Sequence, residues 1–228
     1  MYRIISLVIG YLFGVFQTGY FYGKLHGIDI RQKGSGNTGT TNSLRVLGKK
    51  AAGIVLLGDA GKTVAAILLV HFLFGNANPQ IDKVLQLYAG LGATLGHNFP
   101  FYMNFKGGKG IAVLAGIYLA MGFTDSWWPF LIGLVVFFSI FFAIHYVSVA
   151  SLTVSALFFV IMVVMERMGW VVVGDGTAKI EYYILPAVIM AMAFVRHRKN
   201  IHALMTGTER KTYLSKKKNK EVEQAGSK

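Results

Sequence analysis

Apolar residues fall in seven blocks along the chain, at about 4–22, 51–75, 84–100, 111–123, 127–146, 147–165 and 182–195, parted by shorter polar stretches. Several approach the roughly 20 residues that a helix needs to cross a bilayer, so the pattern predicts spanning helices. The fifth and sixth blocks run together for 39 residues. As a single helix they would measure about 60 Å, twice the hydrocarbon core, so the segment must fold back on itself. The polar cluster His145, Tyr146, Ser148 and Ser151 lies at its middle and places the hairpin there. The third, fourth and seventh blocks are short, at 17, 13 and 14 residues, which lets neighbouring polar loops sink toward the headgroups. The expected architecture is all-α, a polytopic membrane protein with seven transmembrane helices.

Composition narrows this further. The chain is 54% hydrophobic and 14% charged, against roughly one quarter charged in soluble domains. One membrane domain over residues 1–210 is expected, followed by a basic tail at 211–228 that reads as disordered, with Lys216, Lys217 and Lys218 in a row. Residues 1–22 lack a basic leading segment and a small-residue cleavage site, so they read as a retained first span. Seven spans put the termini on opposite sides. Eighteen of the 23 Lys and Arg residues fall on one side, among them Lys24, Arg31, Lys33, Arg45, Lys106 and Lys109, and only Arg3, Lys83, Arg167 and Lys179 on the other. Because cytoplasmic loops collect Lys and Arg, the N-terminus is placed outside and the C-terminus in the cytoplasm. A cytoplasmic tail beside anionic lipid accounts for the remaining positive charge without nucleic acid. The absence of cysteine removes disulfides and thiolate chemistry.

Three polar stretches then carry candidate chemistry. The first, RQKGSGNTGTTNSLRVLG from Arg31 to Gly48, combines glycines with hydroxyls, two amides and three basic residues. Glycines permit close backbone approach, and Arg45 offers a planar fork, so the stretch reads as a phosphate or carboxylate cradle; a flexible linker is the plainer alternative. The second, GHNFPFYMNFKGGKG, sets Gly107, Gly108 and Gly110 around Lys109 at the start of a helix. That is either an anion site or a glycine-rich turn. The third, RHRKNIHALMTGTE from Arg196, places His197 and Asn200 three apart, on one face if the last span continues as helix.

Other patterns are set aside or left open. Gly58 to Thr63 reads GDAGKT, but a nucleotide-binding P-loop needs glycine at position 56, which is leucine. Asp59 and Lys62 share a face inside the second span, either as a structural ion pair or beside a functional site. Histidine and carboxylate spacing offers neither a metal cluster nor an H-x-x-x-x-D pattern. A carrier for phosphorylated metabolites would also have basic loops, but would carry polar residues deep in several spans; here they gather at one surface.

Taken together, GSGNTGTTNSLRVLGKK, GHNFPFYMNFKGGKGIA and RHRKNIHALMTGTE resemble the bacterial acyl-phosphate:glycerol-3-phosphate acyltransferases, over a stretch from about Asp29 to Glu209. Thr40, Val113 and Ala203 depart from the family's usual residues. The resemblance implies a multi-pass protein of the bacterial inner membrane whose site faces the cytoplasm. It implies fatty acyl transfer from acyl phosphate to the sn-1 hydroxyl of glycerol 3-phosphate, giving lysophosphatidic acid and inorganic phosphate. No cofactor, metal, CoA or nucleic acid is implied, and no partner protein is indicated. Acyl phosphate is already activated, so such an enzyme chiefly binds two phosphates, orients a hydroxyl and stabilises an oxyanion. On this reading Gly34, Ser35, Gly36, Asn37, Asn42 and Arg45 bind phosphate, Gly107, Gly108, Lys109 and Gly110 take glycerol 3-phosphate, and His197 and Asn200 orient the reacting groups. Ser148 and Ser151 line the site, Glu209 holds the tail, and either His197 or the substrate's own phosphate receives the hydroxyl proton.

Overall fold

The structure, a computed structural model, describes residues 1–214. It is helical throughout, with no strand among the described residues. The first apolar block is not one helix. α1 (Tyr2–Gly14) ends at Val15, and α2 (Thr18–Leu25) begins after Gln17, whose backbone is extended. The charges of the second block explain the break. Lys62 donates to the carbonyls of Gly14 and Phe16 at the end of α1, while Asp59 accepts from the Thr18 hydroxyl at the start of α2. A cation at a helix C-terminus and an anion at an N-terminus complement the two helix dipoles.

After the short α3 (Thr40–Val46) come α4 (Lys49–Val70), closing in a π turn at His71–Gly75, and α5 (Asp82–Asn98). α6 (Ile111–Thr124), α7 (Trp128–Ile144), α8 (Val147–Arg167), α9 (Thr177–Arg196) and α10 (Arg198–Met205) follow. The expected hairpin lies at His145 and Tyr146, with His145 in the left-handed region at φ 63°. The last block is longer than its hydropathy indicated. α9 has 20 residues rather than 14, because Thr177–Glu181 and Arg196 extend it and Arg3 neutralises Glu181 at 2.7 Å. The segments Tyr2–Leu25, Lys49–Gly75, Val147–Arg167 and Thr177–Arg196 are long and apolar enough to cross a membrane, and α6 and α7 are shorter apolar helices.

α1 packs along α5 through glycines that the hydropathy pattern does not reveal. Gly10 and Gly14 face Ala89 and Ala93, and Gly92 and Gly96 face the backbone of α1 from Leu7 to Val15, so closely that a Cβ at any of the four would collide with backbone. Small residues four apart are how helices approach where lipid replaces water and apolar burial no longer drives association. Leu85, Ile117, Phe158, Met165 and Tyr182 fill the core between α5, α6, α8 and α9. α7 instead leaves Val135, Phe138 and Phe142 exposed, as a helix facing lipid does. One end of the bundle is closed by ion pairs, Lys83–Asp125 at 2.8 Å, His71–Asp82 at 3.0 Å and Lys179–Glu166 at 2.5 Å. The opposite end gathers the three polar stretches.

Candidate active site

The first stretch is folded by its own side chains. Asn42, 1% exposed, accepts from Ser35 N at 2.8 Å and donates to the carbonyls of Ile30 and Lys33. The expected phosphate contact at Asn42 is therefore corrected: its amide is fully used in shaping the loop. Asn37 similarly turns its Oδ1 onto Gly39 N at 2.9 Å. Gly34 and Gly36 adopt φ of 59° and 70°, and a Cβ at Gly34 would strike Asn42 Oδ1, so both serve the turn. Arg31 pairs with Asp29 at 2.7 Å and stacks over Tyr20, which takes it out of the cradle. Ser35 remains exposed on the loop, and Arg45 projects from α3 to Thr212 Oγ1 at 2.5 Å and the Arg210 carbonyl at 3.5 Å.

The glycine loop is tied down on both sides. Gly107 N donates to Asn98 O at 3.1 Å and Gly108 N to His97 O at 3.0 Å, while both carbonyls accept from Arg196. A cradle of free glycine N–H groups is thus corrected at 107 and 108. The available donors are the Lys109 ammonium and the orphan N–H groups of the first turn of α6, after Gly110 at φ 85°. The reason for glycine also changes: a Cβ at 108 would meet the His97 ring, and one at 107 would meet His97 O and Pro100.

The third stretch closes the site. The helix does not run straight on; it breaks at His197, which ends α9 and precedes α10. Lys109 Nζ donates to Asn200 Oδ1, and Asn200 Nδ2 donates to Glu209 Oε1 at 2.7 Å, which ties Glu209 back to α10. His197 is 3% exposed and its Nδ1 donates to Ala193 O at 2.8 Å, so Nε2 carries a lone pair. Burial and the neighbouring Lys109 charge lower its pKa to about 4. Lys109 is lowered to about 8 by burial, opposed by Glu209 and reinforced by Arg45 and Arg196. Arg45, Lys109 and Arg196 therefore make one positive centre contributed by three separate elements.

The segment after α10 folds back over this centre. Thr212, buried, donates its N–H to His145 O at 2.9 Å, Tyr213 lies on the His145 ring at 4.5 Å, and Lys211 sits over Tyr146. The first residues of the expected tail are thus packed; residues 215–228 lie outside the described part. Ser151 is buried, and its hydroxyl donates to Val147 O at 2.7 Å within its own helix. Ser148, by contrast, is buried with its Oγ unpartnered. So are Thr40 Oγ1, His145 Nδ1 and both amide atoms of Asn98, all at this end of the bundle. Buried polar atoms without partners are uncommon, and this cluster marks where a polar ligand or water completes the structure. Arg196, His97, Gln17 and Thr38 were not singled out from sequence. Arg196 resembled a helix-end arginine, and only the fold brings it to the glycine loop.

A family model described as glycerol-3-phosphate acyltransferase matches residues 4–207. A glycerol-3-phosphate acyltransferase of Thermoanaerobacter sp. (strain X514) is 36% identical, covering 92% of this chain and 96% of its own. Glycerol-3-phosphate acyltransferase 2 of Moorella thermoacetica is 39% identical over 91% of this chain and 96% of its own. Among solved structures, the glycerol 3-phosphate form of PlsY, an integral membrane glycerol 3-phosphate acyltransferase, superposes with a TM-score of 0.76 at 32% identity, covering 92% of this chain and 96% of that one. Its lysophosphatidic acid form gives 0.75 at 31% identity, covering 93% and 96%.

Proposed function

The chain belongs to the glycerol-3-phosphate acyltransferase family, an integral membrane enzyme family, and from that premise we propose that it moves a fatty acyl group from acyl phosphate to the sn-1 hydroxyl of glycerol 3-phosphate. The observation that carries this is the convergence of Arg45, Lys109, Arg196, His197 and Asn200 from three polar stretches onto one half-buried positive centre. Lys109, Asn200 and Arg45 hold the glycerol phosphate there, with the first turn of α6 and Ser148 Oγ as further donors. Ser35 and the exposed turn at Gly34–Gly36 face the acyl phosphate.

The hydroxyl oxygen of glycerol 3-phosphate attacks the acyl carbonyl, its C–O bond to phosphate breaks, and inorganic phosphate leaves. His197 accepts a hydrogen bond from that hydroxyl through Nε2 and fixes its direction. With a pKa of about 4, the imidazole is a weaker base than a phosphate monoester, whose second pKa is about 6. The low basicity of His197 in the open site favours a substrate phosphate as the destination of the proton, with His197 orienting the hydroxyl. Preorganised cations and N–H groups stabilise the oxyanion in a site shielded from water.

We further propose seven spans in one domain over residues 1–210, the N-terminus outside and the site at the cytoplasmic face of the inner membrane, where a soluble substrate and a lipid-like donor meet. The Lys and Arg residues gathered at the site end support that orientation. Purified protein given acyl phosphate and glycerol 3-phosphate should release inorganic phosphate and form lysophosphatidic acid, with acyl-CoA inactive as donor. Sustained turnover on acyl-CoA alone would overturn the donor assignment.

A further inference from the structure

The break between α1 and α2 leads from the membrane interior to both substrate loops. Lys62 and Asp59 pair at 3.1 Å and brace the two helix ends, leaving Gln17 wholly buried in the extended backbone between them. Gln17 then joins the loops. Its Oε1 accepts from Thr38 Oγ1 at 2.9 Å in the first stretch, and its Nε2 donates to His97 O at 2.9 Å, the carbonyl that also receives Gly108 N.

The His97 carbonyl, which can only accept, fixes which way the Gln17 amide points, and this fixes the imidazole. His97 Nδ1 faces only donors within hydrogen-bond reach, Lys62 Nζ at 3.1 Å and Gln17 Nε2 at 3.4 Å, so it carries the lone pair and the proton resides on Nε2. The ring edge bearing Nε2 lies against Gly108 so tightly that no Cβ fits. One buried chain, Thr38–Gln17–His97–Gly108 with Asp59 and Lys62 behind it, therefore connects the stretch at 31–48 to the glycine loop.

We propose that Gln17, Asp59, Lys62 and His97 are positioning residues for acyl transfer. They touch neither substrate. They hold the two loops at one separation, so that the anion site of each lies at the spacing the two substrates need to react. Buried ionisable groups are costly in a membrane span and mark a use there; the bonds named above tie both loops to one network, although Asp59 Oδ2 has no hydrogen-bond partner. A helix break alone would not need to reach Thr38 and His97. The inference rests on the reading that the glycine loop serves glycerol 3-phosphate.

The test replaces the charges together, Asp59→Leu with Lys62→Met, because apolar replacement of a whole buried pair commonly preserves stability whereas removing one member strands the other. Thr38→Val cuts the chain at its loop end and leaves the charges paired; Thr38→Ser keeps the hydroxyl. Gly108→Ala serves as the reference. With the full chain in detergent, steady-state kinetics vary each substrate in turn, and thermal unfolding is followed in parallel. The expected result is a folded double variant and a folded Thr38→Val variant, both with KM raised several-fold for the substrate whose KM Gly108→Ala raises, and Thr38→Ser close to the parent. A folded double variant with parental KM and kcat overturns the proposal, as does a lowered Tm with unchanged KM. If the double variant does not fold, Thr38→Val decides alone. Should Gly108→Ala raise KM for acyl phosphate instead, the assignment of the glycine loop fails, and the positioning role is then judged on that substrate.

Discussion

Lys109 is the residue whose chemistry responds most directly to solution conditions. Burial lowers its pKa to about 8, with Arg45 and Arg196 adding to the effect and Glu209 opposing it. The protonated form carries the charge that a phosphate needs. As pH rises through about 8 the free enzyme loses that charge, so kcat/KM for glycerol 3-phosphate should fall about tenfold per pH unit on the alkaline side. Lys109→Arg should carry the alkaline limb upward, because a guanidinium does not titrate in this range. A profile unchanged by the substitution would separate Lys109 from substrate phosphate. His197 gives the opposite limb little to do near neutrality, since at about 4 it is already neutral. Residue types at this scale were largely legible: Arg45, Lys109, His197 and Asn200 were identified from motif and charge. Which atoms remain available was not, because that depends on partners distant in sequence, as when Ile30 and Lys33 occupy the Asn42 amide.

Among the elements, glycine serves two different purposes, and substitution distinguishes them. At Gly108 a methyl would displace either the loop or the His97 ring. Gly108→Ala should therefore raise KM for glycerol 3-phosphate about tenfold, a loss of about 1.4 kcal/mol, with a smaller change in kcat. Steady-state kinetics with each substrate varied would show it, and an unchanged KM would remove the loop from the binding site. At Gly92 a methyl would meet the Leu7 carbonyl across the α1–α5 contact, far from the chemistry. Gly92→Ala should cost about 1–3 kcal/mol of stability, read as a lower Tm in detergent, with the kinetics of the folded fraction intact. Gly53→Ala, where no atom lies within 4 Å, is the matched control and should leave Tm unchanged or slightly raised. Hydropathy located the helices and the α7–α8 hairpin because both depend on local composition. The α1–α2 break escaped it, since the charges that stabilise the break come from α4, more than forty positions away.

At the scale of the molecule, charge is distributed unevenly between the two ends. Beside the site, Lys33 and Lys106 are exposed on loops; at the opposite end Asp82, Asp125, Glu166 and Glu181 each pair with a basic group. Membrane insertion retains Lys and Arg on the cytoplasmic side of short loops, while acidic residues contribute little to orientation. The predicted outcome is that residues 106 and 175 lie on opposite faces, separated by three crossings through α6, α7 and α8. Because the chain contains no cysteine, a single introduced thiol reports its own position without background. Lys106→Cys and Asp175→Cys occupy exposed loop positions, so neither substitution disturbs the core. A membrane-impermeant maleimide applied to intact cells should label 175 and spare 106, and inside-out vesicles should give the reverse. Labelling of both from one face would require an even number of crossings between them and would remove the seven-span reading. Reversed labelling would keep the spans but move the positive centre and its loops to the outer face.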